Sequence, residues 1–383
     1  LKASYGLVGN DQIGGDRRFI YNETVIGGGK YYFGTTPSQY TSVRLGEFPN
    51  PNVGWEKAKK FNLGADLSFF NQLNISVDYF KENREGIFLQ RKSIPMYVGL
   101  STKPWVNIGK MRNSGIDASL EYHQPLGKDL HLTVRGNFTY ARNRIMDQDE
   151  PDYAYTYMNH SGQMQWQKFG LVAAGLFQDQ EDIDSWAKQS FGEVKPGDIK
   201  YLDLNGDGIV DNYDTKPIGY SDIPEIVYGF GFSLQWKAFD LSAFFQGVAH
   251  VSFSTLTDQT QAFVGRNLKE SSVFADLYGN TWTPENPGAK YPRMTTGAID
   301  NNNQLSTFWM ANGRYLRLKN LELGYTLPKR IANKIAMQSL RVYLSGVNLF
   351  TFSPFKLWDP DLQTGATNYP NNRIINLGLT IGF

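Results

Sequence analysis

The sequence predicts an all-β chain whose antiparallel strands cross a bilayer as the wall of a barrel. Three observations predict it. Apolar and polar residues alternate with period two in segment after segment, while helical periodicity is almost absent. Several of these segments exceed the soluble mode of about 5–6 residues and match the roughly 9–11 that cross a bilayer at a tilt. The links between them switch between very short and very long, as in barrels with short periplasmic turns and long external loops. Composition agrees: 383 residues hold 38 Gly, 25 Phe, 22 Tyr and 8 Trp, and mean hydropathy is −0.42. No run approaches the roughly 18 apolar residues of a membrane helix, and a wall that alternates lipid-facing with lumen-facing residues keeps its average hydropathy low. A soluble sandwich with one wet face would also alternate; strand length and aromatic load favour the membrane.

The elements follow in order. Leu1 to Gly6 already reads as strand. Phe61, Leu63, Ala65, Leu67 and Phe69 alternate with Asn62, Gly64, Asp66 and Ser68, and Leu73, Ile75, Val77 and Tyr79 continue the pattern. Next come Ile116/Ala118/Leu120/Tyr122, then Leu130/Leu132/Val134/Phe138/Tyr140. Ile226 to Trp236 and Phe239 to Phe245 form another pair, and Ile375/Leu377/Leu379/Ile381/Phe383 is the last strand. Tight links fall at Asn71-Gln72, Pro125 to Asp129 and Lys237-Ala238, with a medium one from Pro328 to about Gln338. Long polar links cover roughly 10–56, 87–106, 144–223, 252–312 and 352–370. With Phe383 placed in the periplasm, short and long links alternate over about ten strands, provided 144–223 is one extracellular excursion. Phe169 to Phe177 is then structure within that excursion. About ten strands leave open edges, and each unpaired backbone group in lipid costs several kcal/mol. The remaining wall is expected from an earlier part of the polypeptide or from another chain.

Charge and motifs exclude several functions. A net charge of +1 offers no basic excess for nucleic acid. There is no cysteine, so disulfides and thiolate metal sites are impossible. His123, His131, His160 and His250 are scattered without an HExxH pair, and no GxSxG elbow occurs. Gly27-Gly28-Gly29-Lys30 continues into Tyr31 and so fails the phosphate-loop pattern. Asp66, Asp78, Asp117 and Glu121 sit on polar strand faces, where a hydrated lumen explains them. The chain does not read as an enzyme.

The sharpest local motif is Asp203-Leu204-Asn205-Gly206-Asp207-Gly208-Ile209-Val210-Asp211-Asn212-Tyr213-Asp214. Asp203, Asn205 and Asp207 occupy positions 1, 3 and 5 of an EF-hand-type loop, with glycine at 6 and Asp214 at 12. The Ile209 carbonyl and Asp211 would complete an oxygen cage for Ca²⁺, with Mg²⁺ the other candidate because Asp214 replaces the usual Glu. The same residues could instead make a metal-free cluster of Asx turns. Tyr153, Tyr155, Tyr157, Trp166, Trp186, Trp282, Trp309 and Trp358 lie in the long links. Of these, Tyr153, Tyr155, Tyr157, Trp166, Trp282 and Trp309 are the candidates to stack on a substrate, against loop packing or contact with a lid. Trp55 and Trp236 read as interfacial girdle residues, and Asn301-Asn302-Asn303 as a flexible, hydrated loop.

Several segments resemble the SusC/RagA-like TonB-dependent transporters. They are Leu316 to Pro328 (LRLKNLELGYTLP), Leu340 to Thr351 (LRVYLSGVNLFT), Asn113 to Asp117 (NSGID), Pro196 to Tyr201 (PGDIKY) running into the Asp-rich loop, Leu1 to Asn10, and Phe239 to Ser242. They spread over nearly the whole chain. The resemblance implies the C-terminal part of a barrel of about 22 strands with a plugged lumen. It further implies import of oligosaccharides or peptides, driven through TonB-ExbB-ExbD and working with a SusD-like lipoprotein. No plug domain or TonB box reads in residues 1–383; both would lie upstream. The final strand resembles the outer-membrane assembly signal, with Phe383 as its terminal aromatic. Two further readings stay open: a passive porin-like barrel, and a secreted Ca²⁺-dependent carbohydrate-binding protein or glycosidase.

Overall fold

The structure is a computed structural model that describes all residues except 13–16, 37, 101, 258–259, 261–273, 296 and 367, and the side chain of Ile335. Ten strands form one antiparallel sheet, the wall. Its first strand, β1, is Lys2–Asn10. A separate hairpin, β2 (Val25–Phe33) and β3 (Ser38–Leu45), follows. The wall resumes with β4 (Glu56–Phe69), β5 (Leu73–Gln90), β6 (Trp105–Pro125) and β7 (Leu130–Asp147). Then come β8 (Ile226–Trp236), β9 (Phe239–Ala249), β10 (Tyr315–Thr326), β11 (Ser339–Phe352) and β12 (Ile374–Gly382). Apart from the β2–β3 hairpin, each wall strand pairs with the next in chain order, so the sheet is a meander. This agrees with the all-β antiparallel expectation and with its count of about ten strands.

Register explains the two faces. Direct cross-strand partners share a face, so one row of the sheet reads Leu67–Ile75–Leu120–Gly136–Phe230–Phe245–Leu318–Phe350. One residue along, the row reads Asp66–Ser76–Ser119–Asn137–Gly229–Gln246–Arg317–Thr351. A one-residue slip would exchange these rows, which is why the register is strongly specified. The apolar face is bare: Leu63, Leu67, Phe230, Leu323, Leu344, Leu377 and Leu379 are all exposed. Contiguous exposure on this scale marks a surface made for lipid. Trp55 and Trp236 are likewise exposed, at 65% and 53%, as girdle residues would be.

The links separate by end. Residues 70–72, 126–129, 237–238 and 327–338 join strands at one end, and 11–55, 91–104, 148–225, 250–314 and 353–373 at the other. The segment 148–225 leaves β7 and returns to β8, its antiparallel neighbour. Phe169–Gly170 and Ala173–Leu176 are short strands inside it, outside the wall. The β2–β3 hairpin inside 11–55 was not legible. Gly27, Gly28 and Gly29 interrupt its alternation, and the pairing slips between Gly27 and Lys30. Lys30 therefore lies in a strand, not in a phosphate loop.

Candidate functional site

The buried core of the chain lies in its long links rather than in its wall. Leu171, Leu176, Ile199, Tyr201 and Val210 from 148–225 pack against Leu277, Trp282, Tyr291 and Trp309 from 250–314. The two links thus fold together as one head at the long-link end. Trp309 and Trp282 are only 2% and 9% exposed, and Trp309 Nε1 donates to the Asn302 carbonyl at 2.8 Å. This corrects the expectation that Trp282 and Trp309 stand free in the links to stack on substrate: both indoles are packed in the core, Trp309 at the wall of a cleft beside it. Trp186 and Trp358 are also engaged, donating to the carbonyls of Tyr201 and Gln363 at 2.7 Å each.

A polar clasp closes the head. Asp198 is fully buried, and its carboxylate accepts from Arg293 Nη2 at 3.0 Å and from Asn302 Nδ2 at 2.9 Å. Arg293 Nε approaches it to 2.8 Å. The Ile199 amide donates to Asn302 Oδ1, and Asn301 Nδ2 to the Ile199 carbonyl, both at 2.8 Å. Tyr201 donates its hydroxyl proton to the Asn301 carbonyl at 2.9 Å; burial pushes that phenol far up, so it stays a donor. Gly197 adopts φ +89°, and a Cβ there would meet the Trp282 ring at 2.4 Å. The reading of Asn301-Asn302-Asn303 as a flexible hydrated loop is therefore corrected. Asn301 is fully buried and Asn302 is 5% exposed, because their amides satisfy backbone groups of the neighbouring link.

The Asp203–Asp214 loop is held by its own carboxylates. Asp203 accepts from the amides of Gly206 and Gly208 at 2.7 Å each. Asp207 accepts from the Ile209 amide at 2.8 Å and from Asn205 Nδ2 at 3.0 Å. Asp214 is buried and accepts from Leu204 and Asp211 amides at 2.6 and 2.8 Å. Asp211 caps the short turn after it by accepting from the Tyr213 amide at 2.7 Å. Among the described residues, no group of three or more His, Asp or Glu side chains is placed to hold a metal ion. These hydrogen bonds are Asx turns, which a loop of these residue types makes with or without a cation.

The remaining aromatic candidates split. Tyr155 and Tyr157 stack at 5.3 Å, and Tyr155 meets Tyr213 edge-on at 6.2 Å. Tyr157 donates to the Tyr213 carbonyl at 2.7 Å, bracing the Asp203–Asp214 loop. Burial, then the charge of Asp214, pushes its phenol up. Tyr153 lies 6.0 Å from His160, whose imidazole burial holds below its ordinary value against the opposing Glu150. Trp166 alone of the six is freely presented, 59% exposed at φ +59°. A cleft beside the core is lined by Leu277, Thr281, Tyr291, Arg293, Met294 and Asn302. Its polar members gave no motif in the sequence.

Two further groups fasten the links to the wall, and no local motif marked either. Arg317, 1% exposed on the polar face, binds Asp359 at 2.5 Å and Asp361 at 2.9 Å. Glu225 receives Arg142 at 2.5 Å and His250 Nδ1 at 3.0 Å, at the point where both halves of the head leave β8 and β9.

Residues 21–349 match the model of the family described as TonB dependent receptor-like, beta-barrel. The chain belongs to that family. TonB-dependent receptor P3 of Formosa agariphila is 29% identical over the whole chain, which spans 39% of that relative. TonB-dependent receptor SusC of Bacteroides thetaiotaomicron is 25% identical, and the chain spans 37% of it. The solved structure of the RagAB peptide transporter covers the whole chain with 40% of its own length, at a TM-score of 0.70 and 23% identity. The chain thus spans about two fifths of the relatives it matches. As a TonB-dependent receptor barrel it resides in the bacterial outer membrane. Its family is one of receptors and transporters, not of enzymes. The bare apolar face of the wall is the lipid face, and the Asp66 to Thr351 row faces the lumen.

Proposed function

We propose that this chain supplies part of the wall and the extracellular head of a TonB-driven importer of oligosaccharides or peptides, working with a SusD-like lipoprotein. The observation that carries the proposal is the pairing of a lipid-facing wall with a folded head at its long-link end. In barrels of this kind long links are external, so the head is placed to meet a substrate or a lid. Plug, TonB box and remaining wall strands belong to the upstream part that the relatives' greater length supports. Trp166, Tyr153 and Tyr155, with the cleft beside Tyr291, are the proposed contacts for substrate. Uptake of an oligosaccharide panel and a peptide panel by cells with and without active TonB tests this. TonB-independent uptake of either panel would overturn the energised mechanism.

Structural Ca²⁺ in the Asp203–Asp214 loop is proposed on ligand spacing. Each carboxylate oxygen that accepts an amide keeps a second lone pair for a cation, and millimolar affinity suffices outside a cell. Calorimetry with Ca²⁺ should give a binding isotherm that Asp203→Ala plus Asp207→Ala abolishes; identical traces would end the idea. Phe383, exposed beyond β12, is proposed as part of the assembly signal. Its deletion should lower the yield of heat-modifiable barrel, and an unchanged yield would refute that role.

A further inference from the structure

We propose that the outer face of β4 to β7, above the apolar band, binds the phosphate groups of outer-leaflet lipid. The inference rests on the reading that the long-link end lies outside the cell.

The register carries it. Toward the long-link end, the last apolar row of these strands is Leu63–Tyr79–Ile116–Tyr140. The next row on the same face is Phe61–Lys81–Ser114–Arg142. The row beyond is Lys59–Asn83–Arg112–Arg144, and after it comes Lys57–Glu85–Lys110–Asp147. Successive rows on one face are about 7 Å apart. The cations therefore begin just above an aromatic girdle and run through the depth of a headgroup layer. Strands of 18, 21 and 18 residues, β5 to β7, are long enough to carry them clear of the hydrocarbon.

Pairing singles out two of these cations, Arg112 and Arg144. On the lumen side of the same strands, Lys60 meets Glu82 at 3.3 Å, and Arg84 meets Glu56 at 2.8 Å and Glu82 at 2.7 Å. On the lipid side, Glu85 serves Lys59 at 3.3 Å, Asp147 stands 3.9 Å from Lys110, and Glu225 takes Arg142 at 2.5 Å. Arg112 and Arg144 are exposed direct cross-strand partners, and no described carboxylate pairs with either. Arg112 donates to Asn83 Oδ1 at 3.2 Å, and Arg144 to the Gly162 carbonyl. Like charges opposed across a sheet destabilise it. A phosphate between two guanidinium forks removes the repulsion and accepts bidentate bonds from each. At the short-link end the same face of β4 to β7 is apolar in the row Phe69–Leu73–Tyr122–Val134.

The test uses the full-length protein with phosphatidylcholine vesicles carrying phosphorylated lipid A or the same lipid dephosphorylated. Wild type should prefer the phosphorylated lipid, and Arg112→Gln plus Arg144→Gln should weaken that binding about tenfold. Arg112→Lys plus Arg144→Lys should keep most of it, and the lumen-side Lys60→Gln all of it, with heat-modifiability checking that each variant folds. Equal binding of the two lipids, or an unaffected double glutamine variant, would overturn the site. An epitope inserted at Asp152 separates the two readings. Antibody access on intact cells supports the topology, so phosphate-blind binding would then remove the lipid site alone. Access only after permeabilisation would overturn both.

Discussion

Asp198 and Trp309 show what single residues do in the head. Asp198 has no solvent, and its carboxylate is held by Arg293, Asn302 and the Lys195 amide. Removing one partner of a buried pair strands the other, at about 3–5 kcal/mol. Arg293→Ala should therefore expose residues 171–201 to proteolysis and hydrogen exchange while the wall stays protected. Trp309→Ala should lower head stability by about 3–5 kcal/mol, as expected for a buried aromatic. Trp166→Ala should leave stability within about 0.5 kcal/mol and weaken substrate binding alone. Thermal melts and binding isotherms on both variants check the contrast. These roles were hidden in the sequence for a physical reason. Asn301 meets Ile199 at a separation of 102 residues, and a polar run in a long link looks hydrated until its partner link is in place.

At the scale of elements, the wall was legible because alternation is a local property that each strand declares by itself. Leu67 and Ile75 lie on one face whatever happens elsewhere. The tight turns at Pro125 to Asp129 and Lys237-Ala238 then oblige neighbours to pair. The link segments lacked such a local code, so their core and the β2–β3 hairpin emerged only from the fold. The short helix Gln180–Asp184 offers a pH test. Burial raises the Asp182 carboxyl, but Lys200, at 2.9 Å, and the Gln178 amide outweigh it and hold it below its ordinary value of 3.8. A folded-state pKa below the unfolded one stabilises above the unfolded value and is lost as pH falls through the folded one. Exchange protection around Asp182 and Lys200 should thus fade below about pH 4. Asp182→Asn should remove that dependence, leaving the head's other acid transitions in place.

At the scale of the whole molecule, face decides tolerance. Leu377 points to lipid and is 77% exposed, while its chain neighbour Asn376 pairs with lumen-facing Ser345. Leu377→Arg should cost about 2–4 kcal/mol near the membrane midplane and lower the yield of folded barrel. Asn376→Arg, one residue away, should be tolerated; equal losses would mean that the assigned faces are wrong.

The clasp also constrains the order in which the protein can be made. Its two sides are separated in the chain by β8, a two-residue turn and β9, and pairing of that hairpin shortens the loop that Asp198 and Asn302 must close. Closure of the head is therefore expected to follow pairing of β8 with β9, and φ-values at Asn302 lower than those in the β8–β9 hairpin would bear this out. Once closed, it is a staple across the hairpin with both feet planted in adjacent strands. Large displacement of one link alone would have to break Asp198 from Asn302 and Arg293, so any opening at this end is expected to carry both links as one rigid body.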